Sequence, residues 1–279
     1  MDMKELALAK HAEWKGKLSI QTKAPITNRE ELSIAYTPGV AEPCLEIEKD
    51  ESLAYTYTGK GNTIAVITDG TAVLGLGDIG PSAGMPVMEG KCALFKAFAD
   101  IDAVPICIDS KDPRVIINTV YAISKSFGGI NLEDISAPRC FEIERELIEK
   151  CDIPVFHDDQ HGTAITVCAG LLNACKVTGR EPRNLKIVIN GTGSAGIAIA
   201  KMILRIGFGH VILCDKDGII YKGAPQNNSE QEKMAEVTNL HDLRGTLGDA
   251  MAGADIFVGV SRPGLVTQDM IRSMAKDPI

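Results

Sequence analysis

No apolar run in this chain of 279 residues approaches the roughly 20 residues of a membrane-crossing helix. The opening Met-Asp-Met-Lys-Glu-Leu lacks the basic-then-apolar pattern of a secretory leader. Positive charge is not in excess either. The net charge is −8, which argues against nucleic acid and anionic membrane surfaces as general partners. None of the eight cysteines stands in a Cys-x-x-Cys pair, and most sit inside apolar runs. That excludes the usual zinc knuckle and disulfide frame and fits reduced, packed thiols in a cytoplasmic protein. There is no internal repeat and no low-complexity tract.

What is present is globular. Apolar residues make up 45% of the chain, and its length allows two domains, each with its own core. The stretch from Gly128 to Thr163 organises the first of them. A short apolar run ends at Glu133-Asp134, and a second, Ile153 to Phe156, ends at Asp158-Asp159. Between them Arg139 to Lys150 has near-helical spacing of Phe141, Ile143, Leu147 and Ile148, with Pro138 at its start. Strand, helix, strand implies a right-handed crossover and two parallel strands. Neighbouring strand ends would lie roughly 5 Å apart, so four carboxylates would gather at the sheet edge where such folds bind ligands. Like charges that close call for a cation, and a hard divalent one, Mg²⁺ or Mn²⁺, suits oxygen donors. The bland alternative is solvated loop ends or helix caps.

Upstream, residues 3–15 read as a short amphipathic helix. Asn28 and Glu31 form a capping-box pattern opening the turn Arg29 to Ile34, and Pro38-Gly39 then break it. Tyr36 lies just before that break, where half-buried packing is commoner than catalysis. Asn62 to Thr68 and Asp102 to Asp109 read as strands, separated by the glycine-dense segment Gly75 to Pro81 and a helix expected from about Met88. Lys91 would then fall in that helix's first turn, where the dipole and apolar neighbours would lower its pKa and suit it to act as a base. A snorkelling surface lysine is the ordinary alternative. Residues 113–127 read as a further helix.

A long apolar helix, about Ala164 to Thr178, ends at Gly179, and the pattern restarts after Pro182. Strand Lys186 to Asn190 runs into Gly191-Thr192-Gly193-Ser194-Ala195-Gly196, followed by helix Ala195 to Ile206 and strand Val211 to Cys214, closed by Asp215. Strand, G-x-G-x-x-G, helix, and an acid about twenty residues on is the dinucleotide fingerprint. The helix N-terminus offers N–H groups to a pyrophosphate. Asp215 would accept from the adenine-side ribose, favouring NAD, while Lys216 leaves NADP open. Polar residues 222–236 read as a surface excursion. Leu243 to Met251 reads as a helix, Ala254 to Val260 as a strand, and Thr267 caps a last helix. Another strand is expected to begin at the final Asp277-Pro278-Ile279.

Six stretches together resemble a malic enzyme of the short prokaryotic kind. They are Ser33 to Val40, Gly70 to Gly80, Pro86 to Lys91, Asn131 to Asp134, His157 to Thr163, and the glycine loop. The resemblance implies an α/β fold with an N-terminal malate- and metal-binding domain over residues 1–160. It also implies a Rossmann-like, doubly wound NAD(P)-binding domain over 161–279, incomplete at its C-terminus relative to the family. It implies oxidative decarboxylation of malate to pyruvate. Glu133, Asp134 and Asp159 would hold Mg²⁺ or Mn²⁺, with Lys91 as base, Asp158 orienting it, and Tyr36 protonating enolpyruvate. A homodimer follows from the family, and Tyr36 could serve a neighbouring subunit. Ala72 stands where the larger eukaryotic members carry an arginine that grips malate. The family's later strand ending Ala-Asn-Pro and its asparagine-rich motif have no counterpart in these 279 residues. Two rivals are a metal-independent amino-acid dehydrogenase and a shortened chain that only binds and associates.

Overall fold

The computed structural model describes residues 2–279. They divide into two compact units, Met1–Ile135 with Ile143–Phe156, and Ser136–Glu142 with His157–Ile279. Each is α/β.

The first unit opens with helices α1 (Met3–Trp14), α2 (Arg29–Ala35), α3 (Ala41–Lys49) and α4 (Ala54–Tyr57). Asn28 caps α2 by accepting from the Glu31 amide at 2.9 Å, as expected. The returning arm differs, because Glu31 Oε2 accepts from the Thr27 amide, at 2.8 Å. Strands β1 (Thr63–Thr68), β2 (Asp102–Cys107), β3 (Gly129–Leu132) and β4 (Val155–His157) form one sheet in the order β2-β1-β3-β4. β1 is parallel to both its neighbours. Its residues Ala65, Val66 and Ile67 are wholly buried, as parallel strands covered on both faces must be. Helices α5 (Pro81–Ala99), α6 (Pro113–Ile123) and α7 (Arg139–Lys150) supply the connections. α7 buries Phe141, Ile143 and Leu147, but Ile148, expected on the same face, is exposed.

α5 departs from expectation. It starts at Pro81, not near Met88, and runs through Pro86. Pro81 opens the helix at the first position, where a missing N–H costs nothing and the fixed φ of proline suits a helix, and the Gly84-Met85-Pro86 sequence lies inside the helix without ending it. Lys91 therefore lies in the helix interior, and no dipole at a first turn acts on it. Met88 and Cys92 of the same helix pack on Val66 of β1.

The second unit opens on α8 (Asp158–Thr178), which begins six residues before the expected Ala164 and takes in the Asp158-Asp159 pair as its first turn. Carboxylates are favoured there by the unpaired N–H groups. β5 (Lys186–Asn190), α9 (Ser194–Arg205), β6 (His210–Asp215) and the two-residue β7 (Gly218–Ile219) follow. Then come α10 (Ser229–Ala235), α11 (Leu247–Met251), β8 (Ile256–Gly259) and α12 (Gln268–Ser273). The sheet order is β7-β6-β5-β8, with β5 parallel to β6 and β8 and only β7 antiparallel. Val188, Ile212, Ala250 and Met251 are among the buried residues on one side of this sheet. Ile279 lies alongside β8, donating to the Asp255 carbonyl just before it and accepting from the Phe257 amide, at 2.9 Å each.

The supposed surface excursion over 222–236 contains α10, whose Glu230, Gln231, Met234 and Ala235 are buried. Asn228 and Gln231 close a reciprocal capping box there. Polar residues pass for surface in a sequence pattern, yet these are buried because each finds a partner.

Candidate metal and nucleotide sites

β3 delivers its C-terminal end directly to Glu133 and Asp134, buried at 6% and 4% exposure. The Glu133 amide donates to Ile67 of the neighbouring β1, at 2.8 Å, so the turn begins while still held in the sheet. Both Glu133 oxygens are engaged. Oε1 faces Lys91 Nζ at 3.1 Å, and Oε2 accepts from Asn131 Nδ2 at 2.8 Å. Asn131 is buried on β3, two residues earlier on the same strand face, and was not singled out in the sequence. Asp134 has φ +53°, a left-handed backbone that an Asp tolerates better than most residues. Its carbonyl accepts from the Ala72 amide at 2.9 Å, which ties the glycine-dense segment to the acid turn.

Asp158 and Asp159 follow β4, which neighbours β3 in the sheet. Glu133, Asp134 and Asp159 each present a carboxylate oxygen, and these oxygens all lie within 4.8 Å of one another. Mg²⁺ and Mn²⁺ prefer such oxygen donors, so the residues present fit a hard divalent cation. Asp69, at the end of β1, is a further buried acid on the same sheet edge, with Oδ1 accepting from the Thr71 hydroxyl at 2.6 Å. Tyr36 closes α2 through its backbone. Its side chain is 66% exposed, not the half-buried packing residue expected of an isolated tyrosine.

The glycine loop is a separate site in the second unit. Gly191 has φ +112° and donates to the Cys214 carbonyl at 2.9 Å, which draws the ends of β5 and β6 together. A Cβ on Gly196 would overlap the Gly191 carbonyl oxygen, so α9 can lie this close to β5 only with glycine there. Gly193 is the opposite case: a Cβ there would meet nothing within 4 Å. Open space thus stands over the start of α9, whose first turn has no side-chain cap. Unpaired amides facing open space fit a pyrophosphate. Thr192, Ser194 and Ala195 complete the loop, and Asp215 ends β6. Asp215 is not idle in this state. Its Oδ2 accepts from the Thr192 hydroxyl at 2.6 Å and from Gln231 Nε2 at 2.7 Å, and its Oδ1 accepts from the Lys216 amide at 2.8 Å.

The second unit is thus a dinucleotide-binding α/β domain, and the first presents a buried acid turn paired with a lysine. The chain belongs to the malic enzyme family. Residues 15–116 match the malic enzyme N-terminal domain and residues 160–278 the malic enzyme NAD-binding domain. Over 95% of its length it is 53% identical to an NAD-dependent malic enzyme of Geobacillus stearothermophilus, covering 55% of that protein. Over 95% it is also 49% identical to an NADP-dependent malic enzyme of Halomonas elongata, covering 62% of it. The crystal structure of an NAD-dependent malic enzyme from Thermotoga maritima superposes with a TM-score of 0.95 at 46% identity, covering 98% of this chain and 73% of that one. The chain therefore spans little more than half the length of these curated relatives. Among the described residues no helix is long and apolar enough to cross a membrane.

Proposed function

We propose that the chain oxidises and decarboxylates malate to pyruvate and carbon dioxide, reducing NAD or NADP, with Mg²⁺ or Mn²⁺ as its metal. The observation that carries this reading is the carboxylate cluster with Lys91 ion-paired to one of its members. A divalent ion held by Glu133, Asp134 and Asp159 supplies a Lewis acid for the malate hydroxyl and for the enolate left when carbon dioxide departs. Lys91 is the base. Its Nζ lies 3.1 Å from Glu133 Oε1, beside the carboxylates that would hold the cation, and it takes the hydroxyl proton of malate. Asp158 is the carboxylate that orients the lysine. Tyr36 delivers the proton to C3 of enolpyruvate. The glycine loop and Asp215 hold the dinucleotide, whose nicotinamide receives the hydride.

The working unit is a homodimer on this reading. Residues 2–59 contain not one buried residue, although they form four helices. All eight cysteines are free, and burial pushes the Cys92 and Cys214 thiols up to about 12. Free thiols, all but Cys44 wholly or partly buried, support a cytoplasmic site of action.

The test is formation of reduced nicotinamide from malate and Mn²⁺. Activity should vanish with a chelator and return with added Mn²⁺. Lys91→Ala should lower malate oxidation by on the order of 10²- to 10⁴-fold while leaving NADH affinity unchanged. Activity indifferent to the chelator would favour a metal-independent amino-acid dehydrogenase. A chain that binds nucleotide but turns over no malate would be a binding and oligomerising module.

A further inference from the structure

We propose that the second unit carries a further ligand site, a cavity beside the start of β6 that takes a small monocarboxylate with an apolar body, a single ring or a branched chain of similar bulk. The site stands at the opposite end of β5 from the glycine loop, ~13 Å away along the strand, and does not depend on the reading of that loop.

β7 pairs only with Cys214 and Asp215, at the far end of β6. The first half of β6 therefore has no strand on that side. Residues 237–243 run there instead, with the Asn239 amide donating to the Val211 carbonyl at 2.8 Å. Between this loop, the end of α9 and the first residues of β5 and β6 lies a cavity of about 350 Å³. That volume is near the lower end of the roughly 300–1,000 Å³ of small-molecule pockets. Leu204, Val211, Ile212, Val237 and Leu243 give it apolar walls.

Its charge is one-sided. The ionisable groups lining it are Lys186, His210 and His241, and among the described residues no carboxylate lines it, in a chain whose net charge is −8. The acids close by are engaged elsewhere. Asp255 accepts from the Lys186 backbone amide at 2.9 Å and lies 4.0 Å from Arg180, and Asp242 pairs with Arg244 at 3.0 Å. Lys186 Nζ donates to the Ala252 carbonyl at 2.7 Å and makes no ion pair. Burial holds its pKa below the usual lysine range, a penalty that an anion alongside would offset. The rings of His210 and His241 lie against each other, centroids 5.5 Å apart and tilted by 36°, and neither has a hydrogen-bond or ion-pair partner in the chain. One carboxylate can accept from an N–H of both.

The backbone sets both imidazoles in place beforehand. The His210 amide donates to the Leu185 carbonyl at 3.0 Å. His241 rides on a turn that Asn239 closes, its Oδ1 accepting from the Leu243 amide at 2.9 Å and its Nδ2 donating to the Leu243 carbonyl at 2.8 Å. Groups already in position lower the ordering cost of binding. The apolar walls turn away small acids that are polar throughout, since their remaining polar groups would be desolvated without partners.

Calorimetric titration of the full chain with phenylacetate reads this without malate or nucleotide, and EDTA in every sample keeps metal ions off the imidazole pair. Phenylacetate should bind saturably with a Kd below about 1 mM, at least about tenfold more tightly than phenylacetamide, which has the same shape and no charge. Acetate, the charge without the body, should not saturate over the same range. His241→Ala should weaken phenylacetate by roughly tenfold and narrow its margin over the amide. Val237→Trp should abolish binding by filling the cavity; Val237 is about half exposed, so the indole enters no packed core. NADH affinity should match wild type in both variants, and a thermal melt checks that each is folded. A wild type that binds phenylacetate no better than phenylacetamide, or saturates only above about 1 mM, would overturn the inference. So would wild-type phenylacetate affinity in either folded variant. Displacement of phenylacetate by NADH would overturn it too, by putting the probe in the glycine loop.

Discussion

Asn131 is the least conspicuous residue of the acid turn, and the proposed metal chemistry puts a definite demand on it. Its Nδ2 donates to Glu133 Oε2 while Lys91 holds Oε1, so the carboxylate is oriented from both sides before any ligand arrives. Partners of metal ligands typically change affinity by about 10- to 100-fold when removed. Asn131→Ala should therefore raise the Mn²⁺ concentration for half-maximal activity by roughly tenfold, leaving NADH affinity alone. A Mn²⁺ titration unchanged from wild type would mean that Asn131 only fills the strand. At this scale the sequence shows the carboxylates but not their supports. Glu133 and Asp134 stand out because paired acids at a strand end are unusual. Asn131 looks like any polar strand residue, and its role depends on its sharing a face with Glu133. For Lys91 the expected and the observed surroundings differ. Its position in the helix interior removes the dipole argument, and what remains is its pairing with Glu133.

The glycine loop is the element whose sequence and structure agree most closely, because each glycine answers a distinct local need. That separation can be measured. Gly196→Ala would drive a methyl into the Gly191 carbonyl and lever α9 away from β5, at a cost of about 1–3 kcal/mol typical of overpacking. Its melting temperature and its NADH affinity should both fall. Gly193→Ala meets open space and has ordinary backbone angles, so the melting temperature should hold while NADH affinity falls, because the methyl takes room meant for the pyrophosphate. A Gly193→Ala protein with wild-type affinity would move the phosphates elsewhere. Other elements were less legible. Apolar periodicity marks α7 from Arg139 to Lys150 and β5 from Lys186 to Asn190, both found at those bounds. It misses the starts of α5 and α8, which are rich in proline, glycine and acids, since helix entry there depends on position-specific chemistry. It misses α10 outright, because burial of Glu230 and Gln231 depends on partners from α9, the loop and β6.

At the scale of the molecule, the first 59 residues pose a thermodynamic problem for a lone chain. Leu8 is 75% exposed, Ile34 69% and Trp14 53%, and nothing from residue 2 to residue 59 is buried. Covering side chains of that size contributes about 1.5–3 kcal/mol each, and helices this short have little stability without such cover. A second copy of the same chain is the simplest cover, since one symmetric contact treats the same surface on both. Tyr36 lies within this exposed segment, beside Ile34, so association would also place the proposed proton donor. Light scattering should give twice the 29.8 kDa chain mass. Leu32→Glu together with Ile34→Glu should shift the protein to monomer and abolish malate turnover. NADH affinity should persist, because the glycine loop belongs to the other unit and has its own core. A monomeric double variant with undiminished turnover would show that association and catalysis are independent and that Tyr36 needs no partner to act.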